Sequence, residues 1–202
     1  MIYFTFFIGL GRPKGLADLN PYYEANDRDK MMQHDQDDIT HFVPDAKKQR
    51  AFRAALGSFA TGVTLVSTMT SQGPVGFVAN SFSSLSLEPA LVVWSLARSS
   101  RRFGVFAAAK TFAIHILAQD QFGVIPNFTG EGGGFAGLDH RVTSGGLPVL
   151  DGSTARFECN LYATHDGGDH LIIIGHVGQV VTSQKAPLVF LAGQYGQFLD
   201  KS

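Results

Sequence analysis

Three short stretches hold most of the side chains able to bind a ligand or take part in a reaction. The first is Asn80-Ser81-Phe82-Ser83-Ser84-Leu85-Ser86, which follows the apolar Phe77-Val78-Ala79. Short hydroxyls are poor core fillers, because a buried hydroxyl must find a partner. Gathered at a strand end, they can surround a phosphate or the polar rim of a flat heterocycle. A Ser-rich turn between two strands fits the same residues, since Ser and Asn form local hydrogen bonds that favour turns. The second stretch, Arg98-Ser99-Ser100-Arg101-Arg102, is the densest cationic site in the chain. The planar guanidinium fork suits phosphate, and a helix starting near Ser100 would add backbone N–H groups. A solvated helix start with ordinary surface arginines is the alternative; the Ser-rich stretch one strand earlier favours anion binding. The third stretch is Gly168-Asp169-His170, ahead of the apolar run Leu171 to Ile174. By itself it reads equally well as a hairpin turn with a surface histidine.

Metal and nucleophile chemistry find less support. Cys159, His165, His170 and His176 share one region, but their spacing matches no zinc pattern with paired close ligands, and no metal is expected. Cys159 lies in an alternating run with no cation beside it in sequence, so it reads as a small core residue rather than a nucleophile.

The elements that must position these stretches are mostly strands. Pro44 and Asp45 give a helix start signal; Phe52, Ala55 and Leu56 form an apolar stripe expected to pack on a sheet, and Gly57 ends the helix. Val63 to Val66 and Val75 to Asn80 flank the turn Ser71-Gln72-Gly73-Pro74 and predict a hairpin. Ala90 to Leu96, holding the only tryptophan, Trp94, is continuously apolar and is expected to be central. Further strands are predicted over Lys110–Leu117, Ala155–Ala163, a long strand bent around Gly175, Pro187–Leu191 and Tyr195–Leu199. Gln119 to Phe128 reads as a short helix and loop, and the glycine-rich 130–146 as a loop bordering a site. Six or more strands with short connections argue for a mainly β fold, a closed or half-closed antiparallel barrel. No Gly-rich fingerprint between a strand and a helix supports a doubly wound fold.

Length and composition agree. A chain of 202 residues with 45% hydrophobic residues fits one domain with a sizeable core and a tail. The net charge of -1 gives no pull toward nucleic acid or an anionic membrane. No apolar run is long enough to span a bilayer, and a single cysteine is compatible with a reducing cytoplasm. Residues 1–43 form a separate extension, expected to be flexible or to act as an arm on a partner subunit; an upstream start codon is a third option, and a signal peptide is disfavoured because the basic residues follow the apolar run. The domain proper is 44–202.

The ordered set Phe59-Ala60-Thr61-Gly62-Val63-Thr64, Asn80-Ser81-Phe82, Glu88-Pro89, Gly168-Asp169-His170 and Ile174-Gly175-His176-Val177 resembles the flavin reductase family of two-component monooxygenases, over about Arg50 to Leu199. The resemblance implies a six-stranded antiparallel split β-barrel of the FMN-binding kind with a few flanking helices, paired into a homodimer, with flavin in a groove near the subunit boundary. It implies FMN or FAD as the flavin, NADH or NADPH as the donor, and reduced flavin that diffuses to a separate oxygenase. On matched positions Ala79, Asn80 and Ser81 border the isoalloxazine edge, and Thr61 and Gly62 lie near the pocket. Ser83 and Ser84 follow the ribityl-phosphate path, while Ser99, Ser100 and Arg102 approach the phosphate. Asp169 and His170 belong to the triplet associated with the nicotinamide donor, with His170 in the catalytic role. Two departures stand out: Val78 replaces a common Thr, removing a hydroxyl contact, and His115 stands where Asn is frequent. The rival reading is a split-barrel protein that holds flavin or haem without fast turnover; another keeps the reductase chemistry with a different acceptor.

Overall fold

The computed structural model describes residues 39–130, 132 and 134–199. Most of the expected extension, residues 1–38, lies outside them; 39–45 form no regular element. Helix α1 (Gln49–Gly57) is preceded by Asp45, whose carboxylate accepts the backbone N–H groups of Lys47 at 2.8 Å and Lys48 at 2.9 Å. The start signal thus acts one turn ahead of the helix itself. Phe52 and Leu56 are 39% and 47% exposed, which corrects the expectation that this stripe packs on the sheet. An amphipathic period specifies that a face wants cover, not what covers it.

The strands follow in order: β1 (Thr61–Gly62), β2 (Thr64–Thr70), β3 (Gly73–Ala79), β4 (Ser83–Ser86) and β5 (Leu91–Ala97). After α2 (Phe103–Ala108) come β6 (Thr111–Ile116), a 3-10 segment (Gln119–Val124) running into α3 (Ile125–Phe128), β7 (Arg141–Val142) and β8 (Pro148–Val149). The long hairpin β9 (Ala155–Gly167) and β10 (His170–Thr182) precedes β11 (Leu188–Leu191) and β12 (Gln194–Gln197). The main sheet has seven strands in the order β3-β2-β6-β9-β10-β5-β4, every pairing antiparallel. Six are long and the four-residue β4 is a short seventh. The fold is the mainly β split barrel that the strand pattern and the resemblance predict.

Two apolar clusters hold it together. Inside the curl, Trp94 packs against Phe77, Phe106 and Phe112 with ring centroids 6.2, 5.7 and 5.9 Å away, joined by Val66, Leu96, Ile114 and Ile173. On the other side, Leu65 and Val78 meet Leu117, Phe128 and Phe135. Leu65 and Val66, adjacent in β2, are both fully buried in different clusters, which explains why β2 lacks polar alternation. The sheet curls tightly because β10 slips register at Ile174/Gly175. A Cβ on Gly175 would meet the Phe112 ring at 2.8 Å and the Cys159 Cβ at 3.0 Å, so only a bare backbone lets the strand bend over that ring.

Two expectations are corrected. β5 is not central: it sits second from the sheet edge, between β10 and β4, and its apolar run splits by parity. Val92, Trp94 and Leu96 are buried, while Leu91, Val93, Ser95 and Ala97 are half-buried on the opposite face. The helix expected near Ser100 begins at Phe103, and residues 98–102 turn instead. No helix among the described residues is long and apolar enough to cross a membrane.

Candidate functional site

The ends of the main sheet curl toward each other without closing. β3 and β5 are not ladder neighbours, yet Phe77 of β3 packs on Trp94 of β5. A groove of about 190 Å³ lies along this seam, lined by Phe77 to Ser81 on one side and Ser95 and Ala97 on the other. Ser81 bridges it: its Oγ accepts the backbone N–H of Ser95 at 3.0 Å and donates to the Ser95 carbonyl at 3.1 Å. One side chain thereby supplies the donor and acceptor that a paired strand would offer. The hydroxyl expected at a ligand edge is thus already engaged in the seam. The carbonyl of Ala79 is also taken, by the Thr64 hydroxyl at 2.7 Å. The Asn80 side-chain oxygen is buried with no hydrogen-bond partner.

The β9–β10 hairpin brings the third stretch to the same face. It turns on two residues, Gly168 and Asp169, with Gly168 at φ +73°, the left-handed backbone that suits glycine at the first position of such a loop. His170 then pairs with Ala97, and directly opposed residues of an antiparallel ladder project to one face. His170 therefore shares the face of a groove-lining residue. Its side chain is 6% exposed, with Nδ1 2.6 Å from the Asp169 carboxylate. That contact makes Nδ1–H the donor and leaves Nε2, which is buried and unpartnered. Buried polar atoms rarely stay unsatisfied; those without a partner among the described residues include Asn80 Oδ1, on a groove-lining residue, and His170 Nε2, on the strand paired with β5, besides Thr61 Oγ1 and Trp94 Nε1 inside the protein.

The three arginines separate by role. The Arg98 guanidinium turns away to the hairpin, donating to Asp166 at 2.7 Å and to the Gly168 carbonyl at 3.1 Å. Arg101 donates to the Gly130 carbonyl at 2.6 Å, linking this turn to the glycine-rich loop. Arg102 is half-buried and has no acid partner among the described residues. Burial, and then the neighbouring Arg101 charge, lower its pKa from the ordinary arginine value, so this cation lacks both full solvation and a counter-charge. Ser100 Oγ accepts the Arg102 backbone N–H at 3.2 Å, and Ser99 is exposed beside it.

Of the other expected residues, Ser83 and Ser84 are exposed on β4, the strand at the sheet edge beside β5, and do not line the groove. Thr61 and Gly62 lie in a separate three-stranded sheet, paired with Phe190 and Val189, and do not line the groove. Val78 is 1% exposed in the apolar cluster with Leu65 and Phe128; valine fills that interior position. Ser95 and Ala97 escaped the sequence reading, although alternation along Leu91–Ala97 places both on one face. Among the described residues, no group of three or more His, Cys, Asp or Glu side chains is placed to hold a metal ion. Cys159 is buried, and burial pushes its thiol up to about 12.

His115 is fully buried beneath this framework. Its Nδ1 lies 3.0 Å from the Leu65 carbonyl, and its Nε2 accepts the Leu150 N–H at 3.3 Å. The ring thus joins β2 and β6 to the segment after β8. Opposite it in register stands Arg156, also buried and paired with Glu158 at 3.0 Å. No motif flagged this cluster, because its members are remote in sequence and only the β6–β9 pairing joins them.

Comparison with known proteins gives a consistent picture. The family described as "Flavin reductase like domain" matches residues 56–199. The chain is 47% identical over 157 residues to the FMN reductase (NADH) SmoA of Agrobacterium fabrum, covering 78% of this chain and 90% of that protein. It is 38% identical over 150 residues to HsaB of Mycobacterium tuberculosis, the reductase subunit of a flavin-dependent monooxygenase, covering 72% of this chain and 80% of that one. Among solved structures, the NADH:FAD oxidoreductase of Streptomyces globisporus, in complex with NAD and FAD fragments, superposes with a TM-score of 0.74. The two share 29% identity over 80% of this chain and 99% of that one.

Proposed function

This chain belongs to the flavin reductase-like family, and from that premise we propose that it is an NADH-dependent flavin reductase supplying reduced flavin to a separate monooxygenase component. The observation that carries the site assignment is Asn80 Oδ1, buried and unpartnered on a groove-lining residue, with His170 Nε2, also buried and unpartnered, on the residue paired with groove-lining Ala97. With Arg102, which has no acid partner among the described residues, they fit a molecule that has a flat polar ring and an anionic tail.

When bound, flavin would supply the hydride acceptor and NADH the donor, so the redox chemistry would belong to those two molecules. The residues bind and orient. Phe77 and Ala79 form an apolar wall that excludes water from one side of the groove, while Val78 fills the cluster behind it, and Asn80 would hold the polar ring edge. Ser81 sets the width of the seam through Ser95. Ser83 and Ser84 follow the ribityl chain, and Ser99, Ser100 and Arg102 take the phosphate, where an arginine fork gives a charge-assisted contact. Thr61 and Gly62 act near the pocket through the adjoining sheet. Asp169 fixes the ring of His170 so that Nε2 is presented to the donor; His170 holds the donor in place and no nucleophile is required.

A homodimer is part of the reading. The seam groove of one chain encloses little space, and a second copy is proposed to complete its wall. Phe52 and Leu56 on α1, Phe59 just after it and Leu191 at the end of β11 are exposed, apolar surface suited to such a contact. FMN is the assigned flavin, from the likeness to an FMN reductase, and the cytoplasm, where NADH is regenerated, is the assigned compartment.

Anaerobic mixing of protein, FMN and NADH tests the activity: the visible flavin absorbance must bleach faster than in a protein-free control, and equal rates would end the reductase reading. His170→Ala is expected to raise the KM for NADH more than that for flavin. An unchanged donor KM would remove His170 from that role. Sedimentation at micromolar concentration must give a two-chain mass.

A further inference from the structure

Arg98 stands at the head of the stretch proposed to bind the anion, yet its own groups are spent elsewhere. Its backbone N–H donates to the Asp169 carbonyl at 2.9 Å. Its Nε–H donates to the Gly168 carbonyl at 3.1 Å, and its Nη2–H to the Asp166 carboxylate at 2.7 Å. The guanidinium carbon lies 5.7 Å from the Phe103 ring centroid, and Phe103 packs against the Trp94 cluster. One residue therefore holds the β9–β10 hairpin end at Asp166, Gly168 and Asp169 and ties it to a ring packed on the barrel interior. The Arg98 hydrogen bond holds the Asp166 pKa below the usual carboxylate range.

The consequence lies in what each end carries. The gripped turn ends in Asp169 and His170, and Arg98 itself leads into Ser99, Ser100 and Arg102. A two-residue turn containing a glycine has few contacts of its own to set its angle against the rest of the sheet. The ladder partner of His170 is Ala97, the residue immediately before Arg98, so a small rotation of the turn changes how His170 meets the groove.

We propose that Arg98 is a positioning residue for the donor side of the reaction: it locks the Gly168-Asp169 turn, and with it His170, at a fixed distance from the anion-binding turn that Arg98 begins. The proposal rests on the reductase reading given above. Arg98 touches neither bound molecule; it acts through Asp169 and His170. The hydride moves between the same two rings with or without it, and what changes is the fraction of bound donor correctly held.

Steady-state kinetics with NADH and FMN, together with FMN dissociation constants from fluorescence titration, test this on wild type, Arg98→Ala, Arg98→Lys, His170→Ala and the Arg98→Ala/His170→Ala double variant. Arg98→Ala is expected to raise the KM for NADH about three- to fivefold, the scale of an exposed ion pair lost, with FMN affinity within about twofold. Arg98→Lys keeps the charge but not the fork, and falls between. In the His170→Ala background, removing Arg98 has no further effect on the NADH KM, because the path through His170 is already gone; a general loss of fold would instead lower activity in both backgrounds. Asp166→Asn, an exposed change that spares the fold, must reproduce part of the Arg98→Ala effect. The proposal is overturned by an unchanged NADH KM in Arg98→Ala and Asp166→Asn, by an equal loss of FMN affinity, or by multiplying effects in the double variant. If wild type fails to bleach FMN, the reductase reading fails and this proposal with it; if wild type is active, each of these failures concerns Arg98 alone.

Discussion

His115 offers a test of the interior on which the groove rests. Its ring is fully buried, with Nδ1 at the Leu65 carbonyl and Nε2 accepting from Leu150, an arrangement that only the neutral form with Nδ1–H satisfies. A second proton on Nε2 would face the Leu150 N–H and leave both donors unmatched. Burial lowers the His115 pKa to about 4; the Leu65 carbonyl opposes the shift and the nearby Arg156 charge adds to it. Between about 4 and the unfolded value of 6.5 the unfolded chain therefore binds the proton and the folded chain does not. Stability rises with pH across that window and is lost as pH falls from 6.5 toward 4. At about 1.36 kcal/mol per pH unit, His115 should cost the fold about 2 kcal/mol between about pH 6.5 and pH 5. Substitution His115→Asn removes the titration. Its shorter side chain cannot reach Leu65 and Leu150 together, so at pH 7 it should be less stable by about 1–3 kcal/mol. Urea unfolding followed by far-UV circular dichroism at pH 7 and pH 5, on both proteins, gives the comparison. The gap between them must narrow by about 2 kcal/mol at pH 5. A gap independent of pH would falsify the assignment of a neutral, clamped ring.

Three further outcomes follow from the site and the sheet. Arg102→Met should raise the KM for FMN and FAD about tenfold while leaving that for riboflavin, which has no phosphate, unchanged; an equal rise for riboflavin would move Arg102 off the phosphate. Ser81→Ala removes both links to Ser95, so unfolding in urea should show a loss of about 1–2 kcal/mol, with weaker flavin binding in a fluorescence titration; unaltered affinity would mean that the seam does not set the groove. Gly175→Ala drives a methyl into the Phe112 ring and should destabilise by about 1–3 kcal/mol; an unchanged urea midpoint would show that the bend tolerates a side chain.

Local chemistry makes a good part of this protein readable from its sequence. The alternation of Thr111 to Ile116, the turn glycines and the break at Gly175 each act over a few residues, so strands, turns and the bent hairpin are legible along the chain itself. The polar stretches at Asn80, Ser99 and Gly168 are visible for the same reason: residue type and neighbours identify groups that do not belong in a core. Long-range pairing decides the rest. Only the β5–β10 register puts His170 beside Ala97 on the groove face, and only the curl of the sheet brings β3 near enough for Ser81 to grip Ser95. Arg98 looks in sequence like one more cation for an anion, but a flexible side chain goes to the partner that folding delivers, here the Asp166 turn 68 residues later. His115 meets Leu65, Leu150 and Arg156 in the same way, through strands distant in sequence. Spacing along a chain encodes which face a side chain takes within its own element; what stands opposite that face is set by loop closure and packing, which no local pattern records.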